Sequence, residues 1–124
     1  MNSYDEVIQY LESYKDICYN IDFYKNKLEG VKAISYSLEE KGTSIQNSLN
    51  IYLEKLDEAK ARKEALESFI ESNFYGLERI IIWSRYVELK SNKEIANETR
   101  ISDGYVYKLS KKAIETYVIN HKSL

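Results

Sequence analysis

The sequence predicts an all-α chain: a coiled-coil-like antiparallel hairpin of two long helices, followed by a C-terminal helix-turn-helix bundle. Three observations carry that expectation. The 124 residues include no proline and four glycines, the residue types that break or weaken helix interiors. Apolar residues recur at heptad-like spacing through the first 73 positions. Near the C-terminus, Ser91 and Ser102 both read as helix caps, which leaves room for only a short helix between them. Hydrophobic residues make up 44% of the chain, too many for a disordered one.

The first helix carries Val7, Leu11, Tyr14, Cys18, Ile21 and Leu28 on a seam broken only at Lys25. Tyr10, Ile17, Tyr24 and Val31 run beside it and widen the stripe, which suits packing against more than one neighbour. Residues 35–44, with Ser37, Gly42, Thr43 and Ser44, read as the connector, and Ser44 as the cap of the next helix. That second helix shows Ile45, Leu49, Tyr52, Leu56, Ala59, Leu66 and Ile70, broken only at Lys63. Two such segments joined by a short linker fold back on each other most simply. The run Ser72-Asn73-Phe74-Tyr75-Gly76 interrupts the pattern. It divides the chain into 1–73, a hairpin for association or partner contact, and 74–124, the helix-turn-helix module. A third helix from about Leu77 places Leu77, Ile80, Ile81, Ser84 and Val87 on one side, flanked by Trp83 and Tyr86.

The stretch from Lys90 to Leu109 is the most informative. Ser91 followed by Glu94 is a capping box, in which each side chain satisfies an amide left over at a helix start. Ser102 opens a second helix, with Asp103 complementing its dipole. Ile95, Ala96, Ile101, Val106 and Leu109 are spaced to bury together, and small Ala96 allows a close crossing. A short capped helix, a tight turn and a second capped helix form a helix-turn-helix. In that arrangement the second helix enters the major groove, and the first offers its amides and Lys93 to phosphates.

The runs Arg85-Tyr86-Val87-Glu88, Ser91-Asn92-Lys93-Glu94-Ile95-Ala96 and Ile101-Ser102-Asp103-Gly104-Tyr105-Val106 resemble region 4 of bacterial sigma factors. A hairpin followed by that module is similar in architecture to phage-encoded transcriptional regulators of the ArpU and RinA type. The resemblance implies a sequence-specific DNA-binding regulator of phage or prophage late genes, with double-stranded DNA and RNA polymerase as partners. By position it implies a groove-facing surface of Asp103, Gly104, Tyr105, Tyr107, Lys108 and Lys111, with Lys112 adjacent and Ser91, Asn92, Lys93 and Ser102 as further DNA-binding residues. Leu89 and Arg100 depart from the family pattern, which usually has glycine at the first and often at the second. The alternative is a sigma-like adaptor that engages polymerase or another regulator without binding DNA; a packaging protein with such a module is a third.

Charge points the same way. Residues 1–75 carry a net −5 and residues 76–124 a net +3, so a polyanion partner belongs at the C-terminal end. A homodimer is expected, because the hairpin offers more apolar stripe than two helices cover. Tyr10, Tyr14, Tyr24, Tyr52 and Tyr117, among twelve tyrosines, read as core or interface. Other functions find no support. Cys18, read as a buried small hydrophobe, and His121, given no role, cannot assemble a disulfide or a metal set. Glu54, Asp57 and Glu58 interleave with Lys55, Lys60 and Lys63 as a solvated face. No paired acid and base, nucleophile motif or phosphate loop suggests an enzyme, a cofactor or a small-molecule substrate. The N-terminus lacks the basic and apolar regions of a signal peptide, and the longest apolar run is Ile80 to Trp83. A soluble protein of the bacterial cytoplasm is expected, away from membranes.

Overall fold

The computed structural model describes residues 2–37 and 42–122, and the side chains outside 32–45. Five helices follow in order: α1 (Tyr4–Ser37), α2 (Gly42–Asn73), α3 (Gly76–Tyr86), α4 (Asn92–Thr99) and α5 (Asp103–Asn120). Among the described residues there is no strand. The fold class is the expected one, a long-helix hairpin followed by a helical bundle. Chain at Gly42 is already helical, so Ser44 lies inside α2 and does not cap it. A first turn does not depend on intrahelical amide bonds, so Gly42 and Thr43 are tolerated there. Of the expected connector, 38–41 lie outside the described residues. None of the described helices is long and apolar enough to cross a membrane.

The chain forms two compact units, 16–64 and 1–15 with 65–124, and these do not divide at 73/74. The first turns of α1 and the end of α2 belong with α3, α4 and α5. Val7, Leu11, Leu66 and Ile70 in those ends have no exposed surface at all, which is how the wide stripe is used.

In unit 16–64, Ile17, Ile21 and Leu28 of α1 and Leu56 and Ala59 of α2 are buried. The Tyr24 and Tyr52 rings lie 6.4 Å apart. Cys18 is half-buried, against the expectation of a buried seam residue. Burial otherwise follows the seam, with Ile17 of the neighbouring row buried beside it. Tyr19, Phe23, Ile51 and Leu53 remain exposed, Tyr19 at 70%. The Lys27 ammonium sits 5.4 Å from the Phe23 ring centre, a weak exposed cation–π contact.

In unit 1–15 with 65–124, the Phe69 ring meets Tyr10 and Tyr117 edge-on, both at 5.1 Å, and Phe74 at 5.9 Å. The Tyr14 hydroxyl donates to the Glu67 carboxylate at 2.7 Å. The pairings 10 with 69 and 14 with 67 show α1 and α2 running antiparallel. His121 stacks on Tyr117 at 4.2 Å. The α2–α3 corner turns at Gly76, whose φ of +60° suits glycine. Arg79 then donates to the carbonyls of Phe74 (2.8 Å) and Glu71 (3.0 Å), satisfying groups that the end of α2 leaves open.

α3 buries Ile81, Ile82 and Ser84, whereas Leu77 and Ile80 are exposed, the latter at 53%. Of the expected face, Ile81 and Ser84 are buried and Val87 half-buried, while Ile82 goes inside in place of Ile80. Three consecutive isoleucines fit either phase: Ile81 is buried in both and packs on Ile95, Ala96 and Val106, and it is Ile82, not Ile80, that joins it inside. At the end of α3 the Trp83 carbonyl accepts from the amides of Val87 (2.9 Å) and Glu88 (3.2 Å), and Ser84 accepts from Lys90 (2.9 Å). Leu89, inside this closure, is held at φ +56° with its side chain 56% exposed. A β-carbon in that region costs about 1–2 kcal/mol. Glycine also makes the unfolded chain freer, which takes back about 0.4–1 kcal/mol. Leu89→Gly should therefore stabilise by roughly 1 kcal/mol, seen as a rise of a few degrees in Tm. A fall in Tm would mean that the leucine packs where the geometry leaves it exposed.

Candidate nucleic-acid interface

The helix-turn-helix is assembled by the local chemistry of its caps. Ser91 Oγ accepts from the Glu94 amide at 3.2 Å, and the Ser91 amide donates back to Glu94 Oε1 at 3.2 Å. α4 runs only eight residues to Thr99, whose hydroxyl donates to the Ile95 carbonyl. The chain then turns at Arg100, with φ 60° and ψ 38°, and its amide returns to the Ala96 carbonyl. Ser102 Oγ caps α5 by accepting from the Tyr105 amide at 3.2 Å. Between the helices lies one core of Ile81, Ile95, Ala96 and Val106, with Ile101 and Leu109 packed against it. These include all five positions the spacing marked for burial.

That core fixes which side of α5 faces outward. Val106, Ser110, Ala113, Ile114 and Val118 are buried. Asp103, Gly104, Tyr105, Tyr107, Lys108, Lys111 and Lys112 are exposed, the two tyrosines at 47% and 57%. A side chain at Gly104 would meet nothing within 4 Å, so the fold itself does not require glycine there. Tyr107 lies at the margin of the face. Burial raises the Tyr4 phenol above its usual pKa, and nearby Tyr107 and Glu115 raise it further while Arg85 opposes them. The first turn of α1 therefore flanks α5 on the Tyr107 side.

The remaining expected residues have mixed positions. Lys93 is exposed on the first turn of α4. Ser91 and Ser102 spend acceptor capacity on caps and keep a hydroxyl hydrogen to offer. Asn92 is half-buried and its carbonyl accepts from the Arg85 guanidinium, tying α4 to α3. Its NH2 group and the second lone pair of its carbonyl remain for an outside partner.

Charge is sorted in the same way. Three basic residues of the C-terminal module work internally: Arg79 on carbonyls, Arg85 on Asn92, and Lys90 on Glu98 at 2.9 Å and Glu88 at 3.5 Å. The hydrogen bond to Glu98 is the main reason the Lys90 pKa is raised. Among the described residues, Lys93, Arg100, Lys108, Lys111 and Lys112 have no partner within the chain. All five lie on α4, the turn or α5; Lys122, past the end of α5, also lacks one. Arg100 was missing from the sequence-derived set, although its place in the turn was the signal that could have found it.

One further feature belongs to the surface. A groove of about 330 Å³ is lined by Glu71, Arg79, Ile80, Trp83, Ser84 and Glu88. Among the described residues no three His, Cys, Asp or Glu side chains converge as a metal site. Comparison with family models, with curated proteins and with solved structures gives no match for this chain.

Proposed function

We propose that the chain is a sequence-specific DNA-binding transcription regulator, of the kind that controls phage or prophage late genes, acting in the bacterial cytoplasm. One observation carries the reading. Of the basic side chains of the C-terminal module left without an internal partner among the described residues, all but Lys122 gather on α4, the turn and the outward face of α5. In a helix-turn-helix that is the side that meets phosphates, while α5 meets base edges. On α5, Lys108 and Lys111 supply positive charge, Tyr105 and Tyr107 supply hydroxyls and a surface for thymine methyls, and Asp103 suits the amino group of cytosine.

A single module of this size binds weakly, so a homodimer with two half-sites fits the reading. Exposed Tyr19, Phe23, Ile51 and Leu53 in unit 16–64 support self-association there. The test is to incubate the protein with fragments of the genome that encodes it and sequence what is retained at moderate salt. Enrichment of a few sites, lost steeply as salt rises, is expected. Retention of no fragment would reject the reading.

The groove beside Ile80 and Trp83 favours a second reading, an adaptor that engages RNA polymerase through protein contacts. Salt-insensitive polymerase binding without DNA retention would select it.

A further inference from the structure

We infer that Arg100 is a phosphate-anchoring residue, holding the helix-turn-helix on the DNA backbone from the turn itself. This rests on the DNA-binding reading above and adds a residue to it.

Arg100 bears a conformational cost without an internal return. Arg100 sits at φ 60° and ψ 38°, a conformation that glycine adopts freely and a β-carbon opposes. The turn needs that backbone, since the Arg100 amide and the Ile101 amide both close on the Ala96 carbonyl. It does not need the side chain. The guanidinium is exposed and makes no hydrogen bond or ion pair among the described residues. The acid closest in sequence, Glu98, is already held by Lys90 at 2.9 Å, and Asp103 three residues on forms no ion pair with Arg100. Its charge is therefore not neutralised within the chain.

Its position supplies a use. Arg100 is two residues before Ser102, the cap of α5, so its Cα lies within about 7 Å of the point where that helix would enter a groove. The phosphates bordering the groove there fall within reach of an arginine side chain, which can grip phosphate with two parallel hydrogen bonds. Lys93, on the first turn of α4, bears on the backbone from the other end of the same short helix.

Opposite effects on folding and on binding make the test. Wild type, Arg100→Gly and Arg100→Lys are compared by thermal melting and by titration onto a labelled mixed-sequence duplex at several salt concentrations. Arg100→Gly should raise Tm by a few degrees, because the strain is gone. The same variant should bind several-fold more weakly, and its slope of log affinity against log salt should shrink by about 0.9, one phosphate's worth. Arg100→Lys should keep the wild-type slope and Tm. A Tm gain with unchanged affinity and slope would overturn the anchoring role while leaving the DNA-binding reading intact. A lower Tm for Arg100→Gly would overturn the strain argument. Failure of wild type to bind any duplex would overturn both the inference and the reading beneath it.

Discussion

Ala96→Tyr is expected to unfold the helix-turn-helix. Ala96 is 5% exposed and belongs to the core of Ile81, Ile95 and Val106 that joins α3, α4 and α5. Overpacking by a methylene or two already costs about 1–3 kcal/mol. A phenol ring is far larger, and its hydroxyl would enter a cluster of aliphatic side chains without a partner. The penalty should exceed the usual range and reach a large part of the roughly 5–15 kcal/mol that holds a domain together. Circular dichroism would record a lower, broader melt with reduced helicity. Ala61→Tyr, on an exposed position of α2, is the control and should stay within about 0.5 kcal/mol of wild type. Wild-type melting of Ala96→Tyr would mean that this core is misplaced.

What the sequence disclosed follows how locally each feature is determined. The Ser91–Glu94 box, the Ser102 cap and the packing together of Ile95, Ala96, Ile101, Val106 and Leu109 depend on residues close in the chain, and their spacing showed them. Glycine's absence at Leu89 and Arg100 was legible too, and both prove to have positive φ. Where two registers fit equally well, spacing could not choose. Ile80-Ile81-Ile82 allows two phases of α3, and tertiary packing buries Ile82 with Ile81 and leaves Ile80 outside. Cys18 and Ile17 pose the same ambiguity on α1. The aromatic cluster of Tyr10, Phe69, Phe74 and Tyr117 draws on three helices across more than a hundred positions, which no local pattern encodes. Engagement of Asn92 by Arg85 is likewise a tertiary fact, and it removes part of a side chain expected to face DNA.

Lys108→Glu should abolish sequence-specific DNA retention while leaving the fold almost untouched. Lys108 lies opposite the buried Val106, Ser110 and Ile114 on α5, is exposed, and has no ion pair within the chain to lose. Folding stability should therefore change by no more than about 0.5 kcal/mol, the usual range for a surface substitution. Binding responds differently. The exchange removes one charge-assisted hydrogen bond, about 1.5–3 kcal/mol, and sets a carboxylate against the DNA. Together these amount to a loss on the order of 100-fold or more, with a shallower salt dependence. Lys60→Glu makes the same charge change on the exposed surface of α2 and should affect retention little. It separates loss of a contact from a general fall in net charge. If Lys108→Glu and wild type retained the same fragments equally well, α5 would not be the reading helix. The groove beside Ile80 and Trp83, and with it polymerase binding, would then be the surface to probe.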